Sequence, residues 1–115
     1  MWLIVILFAV AAVVGVTMAI AAFQGRFPPV AAAVLHGAFA GSALVLLLIA
    51  VLAQGLRGAA LWALICFLIA ALGGFTLAFA FHARRKPLPS GFVAGHASLA
   101  VVGLLLLLAA ALRLL

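Results

Sequence analysis

The stretches RFPPVAAAVLHGAFAG, residues 26–41, and KPLPSGFVAGHASLAV, residues 86–101, lie 60 residues apart and read as two versions of one segment. At that offset Arg26–Leu52 aligns onto Lys86–Leu112 without a gap. Matches among Leu and Ala carry no weight in a chain so rich in both, so the rare residues decide. Pro29 meets Pro89, His36 meets His96, and Trp2 meets Trp62. At an offset of 59, AAVVGVTMA (residues 11–19) falls on AALGGFTLA (residues 70–78). That pairs Gly15 with Gly74, and Thr17 with Thr76, the only threonines in the chain. The unit is a helical hairpin of about 60 residues, with repeat one over about 1–55 and repeat two over about 59–115. Two-helix repeats in the same orientation are related by an axis along the membrane normal.

Composition says what the hairpins sit in. Of 115 residues 73% are hydrophobic and 5% charged, and the sequence contains no Asp, Glu, Asn or Tyr. A soluble domain has no means of building its surface from this. Four apolar stretches, roughly 2–24, 30–53, 59–82 and 91–112, each reach the length of about 20 residues that a membrane-spanning helix needs. The breaks between them hold Gly, Pro and basic residues, which end helices at a membrane surface. The expectation is an all-α, four-helix transmembrane bundle of two tandem parallel hairpin repeats, forming a single integral membrane domain over 1–115. The first stretch, with Ala19-Ile20-Ala21, has some look of a signal peptide. It lacks a basic start, exceeds the usual apolar length of such peptides, and has a partner in the second repeat, so it reads as a retained helix.

Arg26, Arg84, Arg85 and Lys86 fall in the first and third loops, against Arg57, Arg113 and the terminal amine on the other side. The positive-inside rule then predicts a multi-pass protein with loops one and three cytoplasmic and both termini outside. The net charge of +6 suits anionic lipid headgroups; with no basic face or aromatic platform, nucleic acid is not an expected partner. Cys66 is alone, which excludes an internal disulfide, and reads as packing.

The histidines carry the functional expectation. His36 and His96 each lie seven residues beyond the matching proline, about 10 Å along the helix. Thr17 and Thr76 fall at a similar depth on the other two helices, giving one polar layer in an apolar bundle. Ionisable groups inside a membrane are costly and functional by default. With no carboxylate available, a threonine hydroxyl or a backbone carbonyl is left to accept from Nδ1–H, freeing Nε2 to ligate. Two imidazoles on opposite helices can supply both axial positions of a haem. Ala32, Ala33, Ala40 and Ala43 beside His36, and Ala100 and Gly103 beside His96, offer room, although Phe92 and Val93 are larger. Gly15 and Gly74 are expected to open the neighbouring helices, and Arg26, Arg84 and Arg85 to meet the propionates. In its four-helix layout and its LHG and GHA positions the chain resembles the small b-type membrane cytochromes. The resemblance implies one haem b between His36 and His96, and electron transfer with a quinone or a redox partner subunit. His82, which ends the third helix on the same side, reads as interfacial or as an alternative ligand.

Other classes fit less well. Proton-coupled export on a four-helix plan needs an acidic residue in the membrane, and a channel wants a polar stripe through the bundle; this sequence has neither. Hydrolysis lacks both an acid and a nucleophile beside a histidine, so a stand-alone enzyme is less expected than an electron-transfer or accessory subunit. A transition-metal site would be under-coordinated by two imidazoles alone. The main alternative is a cofactor-free accessory subunit. It would pack on a larger membrane complex, or on further copies of itself, through Gly37-x-x-x-Gly41 and Gly91-x-x-x-Gly95.

Overall fold

A computed structural model describes residues 1–114 and contains four long helices, with no strand among those residues. They are α1 (Trp2–Phe23), α2 (Val30–Gln54), α3 (Ala59–Thr76), continued without a break by a π-helical segment Leu77–His82, and α4 (Ser90–Ala111). Each span, counting α3 with its π segment as Ala59–His82, is long and apolar enough to cross a membrane. Runs of Ala and Leu favour the helix intrinsically, and in hydrocarbon every backbone N–H must find its partner within the segment. The spans agree with the sequence expectation to within a residue at each end; the π turn was not foreseen.

The prolines set where α2 and α4 begin. Pro29 and Pro89 hold extended backbone immediately before the first helical residue, where a missing N–H costs nothing. The first hairpin turn closes at Gly25, φ +72°, with its N–H donating to Ala22 O and that of Arg26 to Ala21 O. The second turn repeats this pattern 60 residues on, Arg85 N–H to His82 O and Lys86 N–H to Phe81 O. Here the left-handed position, φ +54°, is held by Arg85. A side chain in that conformation costs about 1 kcal/mol relative to glycine.

The bundle measures 41 × 20 × 19 Å. Each hairpin packs on itself, α1 with α2 and α3 with α4; the hairpins then join through α1 against α4 and α2 against α3. So α1 faces α3 across the centre, and α2 faces α4. The core repeats this symmetry. Phe8 and Phe67, which match at the offset of 59, stack across the axis with ring centres 3.7 Å apart. Leu47 and Leu107, which match at 60, are both fully enclosed. Large apolar side chains such as Val13, Leu52, Leu72, Phe75 and Leu105 point outward, as lipid-facing residues do. Trp2 opens α1 and Trp62 lies in the first turn of α3, both exposed at one end, the level where an aromatic belt forms.

The two repeat offsets have a structural cause. From Phe67 through Thr76 the second hairpin runs 59 residues behind the first, and from Phe81 it runs 60 behind. One extra residue has therefore entered the end of the third span, and a π turn is the form a helix takes when it absorbs one.

Candidate functional site: a histidine pair on the bundle axis

His36 on α2 and His96 on α4 meet across the centre with ring centres 6.0 Å apart and planes at 73°. Each ring is held by its own hairpin. His36 Nδ1–H donates to Ala11 O at 2.8 Å, and His96 Nδ1–H donates to Ala70 O at 2.7 Å. Ala11 and Ala70 are repeat mates. In a regular helix each of these carbonyls also accepts from the N–H four residues on, which is that of Gly15 or Gly74. A carbonyl oxygen has two lone pairs, so the imidazole takes the second.

The glycines explain how a side chain reaches a helix backbone. A Cβ added to Gly15 would lie 3.0 Å from His36 Cε1, and one added to Gly74 would lie 3.0 Å from His96 Cε1. Gly15 and Gly74 therefore seat the imidazoles, and the space they release is already filled by those rings. This differs from the sequence expectation, which gave that space to a macrocycle. Gly103, also expected to leave room, is instead the bed for the Phe67 ring, 3.1 Å from where a Cβ would sit. The reason is the same in both cases: in a close-packed bundle a missing side chain is filled by its nearest large neighbour.

The threonines take no part in orienting the rings. Thr17 Oγ1 donates to Val14 O at 2.7 Å and Thr76 Oγ1 to Leu72 O at 2.9 Å, both on exposed faces. A helical threonine finds a carbonyl three or four residues back in its own turn before it finds another helix. Among the described residues neither imidazole Nε2 has a hydrogen-bond partner, and no third His, Cys, Asp or Glu joins the pair.

His82 is engaged elsewhere. Its Nε2–H donates to Pro28 O at 2.7 Å and its ring stacks on Phe27, centres 4.5 Å apart and 2° from parallel. It fastens the end of the third span to the first hairpin turn. Arg26 donates from Nε to Gln24 Oε1 at 3.0 Å, and together with Arg85 lines a cleft of about 210 Å³ between the two proline turns. Arg84 is exposed in the third loop.

One feature was missed by reading the sequence. A groove of about 460 Å³ opens sideways between α3 and α4, with His96, Gly73, Gly95 and Phe92 among its walls. At the matching places in the first hairpin stand Val14 for Gly73 and Leu35 for Gly95. Those substitutions were visible, but which side of each helix they faced was not. Cys66 is half-buried in α3. Comparison of the chain with protein-family models, with curated proteins and with solved structures finds no match.

Proposed function

We propose that the chain is a membrane electron-transfer protein in which His36 and His96 are the two axial ligands of one haem b. The observation that carries this reading is the matched pair of Nδ1–H bonds to Ala11 and Ala70, which leaves each Nε2 without a hydrogen-bond partner among the described residues. Ligating histidines commonly have their second nitrogen tied in this way, which fixes the tautomer and raises the basicity of the ligating one. The two rings stand with their centres 6.0 Å apart, and His36 and His96 would hold the group between them. With no third His, Cys, Asp or Glu beside them among the described residues, two histidines would suit a centre whose remaining positions come from a macrocycle.

The haem iron, when bound, supplies reversible one-electron chemistry. The chain's own part is to hold both rings by backbone carbonyls, and to keep water out with the stacked Phe8 and Phe67 toward the terminal end. The groove beside His96 supplies unfilled volume on one flank. Arg84 and its neighbours Arg26 and Arg85 offer positive charge at the double-proline end, suited to carboxylates there. The charge distribution further supports an orientation with that end in the cytoplasm. A quinone or a partner redox subunit would exchange the electron.

The test is a visible spectrum of the purified chain, expressed with haem precursor and held in mild detergent, before and after dithionite. A sharp reduced α-band lost in both His36→Ala and His96→Ala is the expected result. An unchanged haem spectrum in both variants would sink the ligand assignment.

A second reading rests on a separate observation. Gly37, Gly41, Gly91 and Gly95 all face open space, with nothing within 4 Å of a Cβ built on any of them. Two such small-residue faces support packing against another membrane helix, as an accessory subunit or a homo-oligomer would need. A featureless spectrum together with co-purification of a larger complex would favour it.

A further inference from the structure

We propose that the cleft between the two hairpin turns is a binding site for the phosphate group of an anionic phospholipid. Its walls are Gly25, Arg26, Phe27 and Pro28 from the first turn, and Arg85 and Leu88 from the second. Two arginines, one from each turn, thus line one cleft of about 210 Å³ in a chain that has no Asp or Glu to neutralise either. Among the described residues Arg26 bonds only the neutral amide of Gln24, from Nε and Nη2, which leaves its charge uncompensated and Nη1 available. Arginine forks match phosphate oxygens in geometry as well as charge.

The second observation is the turn at Arg85. The first turn fills its left-handed position with Gly25 and the second fills the same position, within the same hydrogen bonds, with Arg85. Glycine is the unstrained solution, and of these two turns only the first uses it. Arg113 ends α4 in the same conformation, so it is the departure from the repeat rather than the backbone that marks the site: Arg85 places a second cation on the cleft where its repeat mate has no side chain. The opposite wall is built rather than loose, since the His82 ring stacks on Phe27 and bonds Pro28 O.

A lipid is the source the position favours. The cleft lies where the helices end, at the depth of headgroups, and Phe27, Pro28 and Leu88 give it apolar walls that suit the glycerol and upper acyl carbons. Arg26 and Arg85 are also the cations offered above to carboxylates, so the test uses the haem-free chain, where a phosphate meets no such competitor.

Native mass spectrometry of the chain released from nanodiscs of equimolar phosphatidylglycerol and phosphatidylcholine reads the site directly. The expected result is one retained phosphatidylglycerol, reduced about tenfold in Arg85→Gly and Arg26→Gln, the loss of one charge-assisted bond. Lys86→Gln, which removes the same charge from the same loop outside the cleft, is expected to retain the lipid. Equal loss in Lys86→Gln would mean diffuse attraction and would overturn the site, as would full retention in Arg85→Gly. Displacement of the lipid by inorganic phosphate would assign the oxyanion site to the free ion instead and overturn the lipid. Arg85→Gly copies the first turn and is expected to fold; Arg26→Gln follows a glycine in the left-handed position and gives an independent reading. The haem spectrum is a separate readout, so failure of either proposal leaves the other standing.

Discussion

A single missing Cβ separates two kinds of glycine in this bundle. Gly74→Ala gains about 1 kcal/mol of helix propensity. It sets that gain against crowding of the His96 ring at 3.0 Å and the stretching of a 2.7 Å bond, itself worth about 1 kcal/mol. The expected outcome is little change in unfolding free energy in a detergent titration, accompanied by a displaced imidazole Nδ1–H resonance. Gly95→Ala meets nothing within 4 Å and keeps its full gain, so the isolated chain should be stabilised by about 1 kcal/mol with that resonance unmoved. Equal stabilisation by both substitutions would mean that the imidazole is not seated on Gly74. Gly103→Ala lies at the other extreme. Its Cβ would press the Phe67 ring at 3.1 Å against a partner stacked 3.7 Å away, so overpacking should exceed the propensity gain and lower stability by about 1–2 kcal/mol.

At the scale of the element, the end of the third span is where the two repeats part company. The π segment Leu77–His82 takes up one residue, so Thr76 on one side and the turn at Arg85 on the other both keep the places of their mates in α1. Deleting Ala80 should therefore return the segment to plain α-helix with both flanks in register. Far-UV circular dichroism should be unchanged, and thermal stability should stay within about 1 kcal/mol, the effect of a residue whose loss touches no core contact. Loss of the fold on deletion would show that the π turn carries a contact the flanks do not. The offset of 59 on one side and 60 on the other is readable in the sequence, yet a π turn and a longer loop have the same residue count, so its place is not. The same limit applies to the site. His36 and His96 stand out because imidazoles are rare in an apolar chain, and glycine at the matching depth is visible too. The acceptors on Ala11 and Ala70 are backbone carbonyls, which carry no side-chain signature. Thr17 and Thr76, the hydroxyls at that depth, were the visible candidates, and helix geometry turned both to their own carbonyls.

For the whole molecule, two hairpins about one axis put all three histidines and four of the six basic side chains in the half that ends at the proline turns. A single haem in that half would exchange electrons at one face only, so which face it is decides what the protein can work with. The asymmetry of charge predicts the cytoplasmic side. Cys66 is the only cysteine and is half-buried, so Cys66→Ala gives a background in which a single introduced thiol reports position. On that background Arg57→Cys tests the second loop and Lys86→Cys the third, each in intact cells challenged with a membrane-impermeant maleimide. Arg57→Cys should label at once, and Lys86→Cys only after the membrane is opened, because Arg26, Arg84 and Arg85 still hold the bias when one lysine is lost. The reverse pattern would move the histidine pair to the outer half and make any electron acceptor an extracytoplasmic one. Labelling of both thiols in unopened cells would mean that the chain inserts both ways. An antiparallel pair of copies would then bring the histidine layer of one beside the terminal end of the other, and the small-residue faces of α2 and α4 would be the surfaces through which such a pair packs.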